Sequence, residues 1–174
     1  MSDLAPDASS TAPPAGFAPH RSVTELASAL FGSVSSTIKG KPDGVRLALT
    51  TLLSGGHLLL QDLPGTGKTL LAKSLAVAIG GEFGRVQCTP DLLPSDITGT
   101  SVFQPQQGTW QFRPGPLFAD VVLIDEVNRA SPRTQSALLE PMEERQVSVD
   151  GATYRLPPAF FCIATQNPSG QLGT

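Results

Sequence analysis

The chain has 174 residues, of which 40% are hydrophobic and 16% charged, with a net charge of −3. That is about one domain with a single core, and the mildly acidic balance excludes the electrostatic footprint of a non-specific nucleic-acid binder. No apolar run approaches the ~20 residues a membrane span needs. Nor do Cys88 and Cys162 form a metal spacing or a disulfide framework, so the expectation is a cytoplasmic protein with no membrane span and no nucleic-acid partner.

Residues 1–21 are rich in Ala, Pro and Ser without an apolar period, which reads as a disordered tail. Folding is expected to begin at Ser22-Val23-Thr24-Glu25, a capping box, with Val23, Leu26, Ala27, Leu30, Val34 and Ile38 forming one helical stripe behind it. Lys39-Gly40-Lys41-Pro42 breaks that helix, and a second, from about Asp43 to Leu53, stops at Gly55-Gly56. A buried strand then begins near His57. It runs into Asp62-Leu63-Pro64-Gly65-Thr66-Gly67-Lys68-Thr69, and a helix from Leu70 to Ile79 follows at once.

A second short strand surrounds Arg85-Val86-Gln87-Cys88, and residues 90–96 read as a turn-rich connector. Alternating residues at 101–103 and 109–112 predict a hairpin, and 147–154, around Asp150-Gly151, a second one. Val121 to Ile124 is a continuous apolar run, the mark of a strand covered on both faces, and it ends in Asp125-Glu126. Ser131-Pro132 starts a further helix; Pro141 within it predicts a kink, because proline removes a hydrogen bond and clashes one turn back. Ala159 to Ala164 is another buried strand, followed by Thr165-Gln166-Asn167-Pro168. Strands alternating with helices, with polar residues at strand ends, indicate an open α/β sheet whose ligand lies over the carboxyl ends.

The strand, glycine turn and helix around Lys68 fit a phosphate loop, because successive backbone N–H groups and a helix N-terminus converge there on one anion. Lys68 adds a point charge toward the β and γ phosphates, and the Thr69 hydroxyl is placed to ligate Mg²⁺. Asp62 replaces the first glycine of the usual pattern, and the alternative is a tight turn without a ligand. Asp125 ending an apolar strand can hold the metal shell, and Glu126 beside it can orient or deprotonate a water. Asn167 can bind a γ-phosphate oxygen or the attacking water, or can simply turn the chain before Pro168. Trp110 and Phe112 are read as packing against the domain rather than stacking on bases. Arg133 reads as a solvated charge, and Arg129 stays open between that and a role toward a neighbouring subunit's phosphates.

Together the segments QDLPGTGKTLLAKSLA, QCTPDLLPSDITGT, GPLFADVVLIDEVNRASPRTQSALLE, ERQVSVDG and IATQNPSG resemble the MoxR family of AAA+ ATPases. The resemblance implies a three-layer αβα P-loop fold over residues 22–174, with a mostly parallel sheet and two inserted hairpins. The sequence would stop before the fifth core strand, the arginine finger and the helical lid. It implies ATP and Mg²⁺ as ligands, with nucleotide contacts from Pro64, Gly65, Thr66, Gly67, Lys68, Thr69, Leu70 and Asp125. The metal would fall to Thr69 and Asp125, the catalytic base to Glu126 and sensor 1 to Asn167, with Ile38 and Gly40 flanking the adenine. It further implies a ring, a hexamer in the full-length form, and chaperone-like remodelling of client proteins, including some with metal-ion-dependent adhesion sites. Two alternatives remain: a nucleotide-binding chain without turnover, and a P-loop kinase acting on a small molecule.

Overall fold

The computed structural model describes residues 22–61 and 65–166. The Ser22 hydroxyl accepts from the Glu25 N–H at 3.2 Å, while the Glu25 carboxylate accepts from the Ser22 N–H at 2.8 Å. This capping box opens α1 (Val23–Thr37). Leu30 and Val34 are buried, but Val23 and Leu26 face solvent, so the predicted stripe is a contact surface only in its second half. Pro42 does more than end the first helix: it occupies the first turn of α2 (Pro42–Leu53), where its missing donor is harmless.

The central sheet contains β1 (Leu58–Gln61), β2 (Phe83–Gln87), β5 (Val121–Asp125) and β8 (Phe161–Gln166). All its pairings are parallel, in the order β1-β8-β5-β2. Helix α3 (Lys68–Ile79) connects β1 to β2 and ends at Gly80, whose φ of +69° is a left-handed cap. Every residue of β5 is buried, as its unbroken apolar run predicts. Strand β8 begins two residues later and ends two later than expected, because Thr165 and Gln166 still pair with Leu60 and Gln61.

Helices cover both faces of the sheet, giving the expected three layers. On one face Val121, Leu123, Phe161 and Ile163 pack with Leu30, Val34, Val45 and Leu49 of the first two helices and with Ala72 and Leu75 of α3. On the other, Val122, Ile124 and Cys162 pack with Ile97, Leu117, Leu138 and Val147. Strand alternation sends odd-numbered residues of β5 and β8 to the first face and even-numbered ones to the second.

The connector after β2 is not all turn. It holds the five-residue helix α4 (Pro94–Thr98), too short for an apolar period to reveal. The first hairpin, β3 (Gly99–Gln104) and β4 (Thr109–Pro114), follows directly, and the chain returns through a 3₁₀ turn at Pro116–Phe118. Gly99 and Gly115 stand back to back at its foot: a Cβ on either would meet the other's backbone nitrogen at 2.7 Å or less. Phe112 stacks on Tyr154 at 3.8 Å and meets Phe118 edge-on at 5.5 Å, so it packs as predicted. Trp110 does not. It is 71% exposed, with its ring tilted against the half-exposed Phe103.

The helix predicted from Pro132 is broken in two, α5 (Pro132–Ser136) and α6 (Leu139–Glu144). The gap lies one turn before Pro141, where the ring would strike the preceding carbonyl and no N–H bonds back. The second hairpin, β6 (Gln146–Val149) and β7 (Ala152–Arg155), turns at Asp150 and Gly151, both at positive φ, as a two-residue turn of this type requires.

Candidate functional site

The C-terminal ends of β5 and β8 and the start of α3 enclose a cavity of about 440 Å³. Gly65, Gly67, Lys68, Thr69 and Leu70 line one side of it; Arg85, Gln87, Asp125, Glu126 and Thr165 line the other. The two halves of the predicted chemistry therefore share one space. Gly65 and Gly67 have φ of +80° and +92°, and a Cβ on either would project into open room. A side chain there would be strained and would fill the cradle. The N-cap of α3 is Gly67, which has no side chain to fold back over the helix start beside the cavity.

Asp125 is only 8% exposed, and both its oxygens are engaged. Its Oδ1 accepts from the Thr165 hydroxyl at 3.1 Å. Its Oδ2 accepts from Arg85 Nε at 2.9 Å and pairs ionically with Nη2 of the same side chain at 2.8 Å. Thr165 reaches Asp125 because both are odd-numbered residues of adjacent strands, on the same face as α3.

Glu126 breaks that alternation. In a continued strand its side chain would turn to the opposite face from Asp125, but its backbone is left-handed, with φ +55° and ψ +50°. The turn aims its N–H at the Thr165 hydroxyl, 3.0 Å away, and brings its carboxylate to the same cavity as Asp125. Arg129, whose role the sequence left open, holds Glu126 Oε2 through Nη1 at 2.8 Å. Arg133 is exposed, as predicted.

Behind the cavity lies Cys88, whose N–H donates to the Asp125 carbonyl. Burial first, then the charges of Asp125 and Glu126, pushes its thiol up to about 11. A second, mostly apolar cavity of about 220 Å³ adjoins Gly67 and Lys68 and is lined by Ile38, Gly44, Val45, Leu60 and Leu71 among others. Ile38 belongs to that lining, whereas Gly40 does not. Pro64 and Asn167, and the Asp62 substitution, lie outside the described residues.

Residues 57–174 match the family described as "ATPase family associated with various cellular activities (AAA)". Among relatives, the chain is 51% identical over 141 residues to the uncharacterized protein YeaC of Bacillus subtilis, covering 81% of this chain and 44% of that one. It is 44% identical over 146 residues to chaperone MoxR1 of Mycobacterium tuberculosis, covering 84% of this chain and 38% of that protein. A crystal structure of a protein from Cytophaga hutchinsonii, assigned as an ATPase, superposes with a TM-score of 0.75 at 40% identity, over 86% of this chain and 45% of that one.

The chain belongs to the MoxR family of AAA+ ATPases. It spans less than half the length of these MoxR-family relatives. Three residues of this MoxR-family site escaped the sequence reading: Thr165, Arg85 and Gln87. The parity of Thr165 with Phe161 and Ile163 could have signalled it. Arg85 and Gln87 needed the strand order, because they meet Asp125 across a pairing that joins residues some forty positions apart.

Proposed function

We propose that this chain binds ATP with Mg²⁺ in the cavity between α3 and the ends of β5 and β8, and that the protein hydrolyses it. The observation carrying this reading is the convergence of Gly65, Gly67, Lys68 and Thr69 with Asp125 and Glu126 on one cavity. The donor set fits the ligand: a glycine turn leading into a helix start for phosphate, and a hydroxyl residue and a carboxylate residue lining one cavity for a hard cation.

Lys68 and the N–H groups of residues 65–70 would hold the β and γ phosphates, and Thr69 and Asp125 would hold the metal. When bound, Mg²⁺ neutralises charge on the bridging phosphoryl oxygens. Glu126, fixed by the Thr165 hydroxyl, would orient the water and take its proton, which requires release of its present partner Arg129. Asn167 would assist at the γ phosphate. The apolar cavity holding Ile38, Val45 and Leu71 suits the flat face of the base.

Family membership and the printed name of the chaperone relative support a chaperone-like role on client proteins, with assembly into a ring in the full-length form. The two hairpins, with Trp110 exposed on one of them, are the surface we assign to clients. Steady-state phosphate release decides the matter. It should scale with protein concentration and fall by about 10²–10⁴ in Glu126→Gln while nucleotide binding persists. Binding of a fluorescent ATP analogue without any release would support the non-hydrolysing alternative, and release only on adding a small acceptor would support a kinase.

A further inference from the structure

The pairing of Arg85 with Asp125 has features of a temporary bond. A carboxylate offers about four acceptor positions, two per oxygen. Asp125 Oδ2 accepts from Arg85 Nε at 2.9 Å and has Nη2 of the same guanidinium in ion-pair contact at 2.8 Å. Oδ1 already accepts from Thr165. A cation approaching from the cavity therefore meets an oxygen already faced by a positive charge. Arg85 itself is not a buried structural cation: its side chain is 51% exposed, and it lines the same cavity as Lys68 and Thr69. The pair is thus open to water on its arginine side, although Asp125 is buried. Its one other bond, from Nη2 to Gln87 Oε1, is long at 3.4 Å.

We propose that Arg85 is an exchangeable counter-ion for Asp125. It neutralises and positions the carboxylate while no metal is present, yields Oδ2 when Mg²⁺ enters with nucleotide, and then turns its fork to the phosphoryl oxygens. The guanidinium and the divalent ion compete for one oxygen, so they hold it in turn. Once displaced, the planar fork suits phosphate oxygens bidentately, and β2 carries it at the cavity wall opposite Lys68. This rests on the nucleotide reading above and adds to it a residue that sets the metal requirement.

The test is a titration of MgCl₂ into the protein at a fixed concentration of a fluorescent N-methylanthraniloyl-ATP, read by anisotropy. In Arg85→Ala the Mg²⁺ needed for half-maximal binding should fall about tenfold, because the competing charge is gone. At saturating Mg²⁺ the same variant should bind the analogue several-fold more weakly, having lost the fork. Arg85→Lys, which keeps a point charge without the fork, should hold the Mg²⁺ requirement near the parent's yet share the weaker binding at saturation. A purely structural arginine would give the opposite first result, since a misplaced Asp125 raises the Mg²⁺ requirement. An unchanged or raised requirement in Arg85→Ala overturns the proposal while leaving nucleotide binding intact. If the parent protein binds no analogue and is indistinguishable from Lys68→Ala, the nucleotide reading fails and this one with it. Should Arg85→Ala not fold, Arg85→Gln carries the same comparison.

Discussion

The two faces of the central sheet are built from the same strands and finish differently. Under α1 to α3, Val121 and Leu123 lead to Asp125, and Phe161 and Ile163 lead to Thr165. On the opposite face Val122, Ile124 and Cys162 are apolar and support the hairpins and the broken helix, and β8 ends there in Gln166. Among the described residues the buried polar side chains are Asp125, Thr165 and Thr134. Two of them sit where the first face meets the phosphate turn. The third is tied down on the other side, its hydroxyl donating to the Leu92 carbonyl at 2.7 Å. Polarity is buried at a strand end where chemistry needs it, and elsewhere only where a backbone acceptor is waiting.

The strongest way to break this contrast is Lys68→Ala. Losing charge-assisted hydrogen bonds of about 1.5–3 kcal/mol each should weaken binding of the ATP analogue ~100-fold or more. Retained affinity would mean that the first face carries no phosphate site.

A sharper comparison exchanges each buried threonine for its isostere. Thr165→Val and Thr134→Val should each cost about 1–3 kcal/mol in urea unfolding, since each removes the hydrogen bond made by a buried hydroxyl. Only Thr165→Val should also slow phosphate release, because Asp125 and the Glu126 N–H both lose their common partner. Equal effects of the two on turnover would erase the distinction between the faces.

The smallest effect is a pH dependence at the start of β1. His57 Nδ1 accepts from the Cys162 N–H at 3.0 Å, so its Nε2 carries the proton given to the Met142 carbonyl, also at 3.0 Å. Burial, and to a lesser degree the charge of Arg145, holds this imidazole below its ordinary 6.5, although the Met142 bond opposes them. The unfolded chain therefore takes up the proton first. Stability is present in full above pH 6.5 and should be lost as pH falls through the depressed folded value. Urea midpoints at pH 7.5 and 5.5 should differ, and the difference should shrink in His57→Gln.

What could be read from the sequence follows from how local each signal is. The run from Val121 to Ile124 must be a covered strand, and Gly-Thr-Gly-Lys-Thr before a helix marks a phosphate turn, because the residues that decide each lie next to one another. Arg85 and Thr165 could not be read in this way. Their meaning depends on β8 lying between β1 and β5, and on β2 flanking β5, which no local period records. Glu126 was found by adjacency to Asp125, but the reason both acids face one cavity is a left-handed backbone that alternation alone would not have supplied. The exposed Val23 and Leu26 show the reverse error, an apolar period continuing past the surface that buries it.

The glycine pair at the foot of the first hairpin sets a limit on engineering. Gly99 and Gly115 leave no room for a methyl group between the outgoing and returning chain, so the β3–β4 arm joins the body through a narrow seam of bare backbone. Beyond that seam the arm still packs on its neighbours through Phe112, which meets Tyr154 and Phe118, so any resizing of the arm has to keep that residue in place. A single Gly115→Ala change, though far smaller than deleting the arm, would pry the seam apart and disturb Ile97 in the core beneath it.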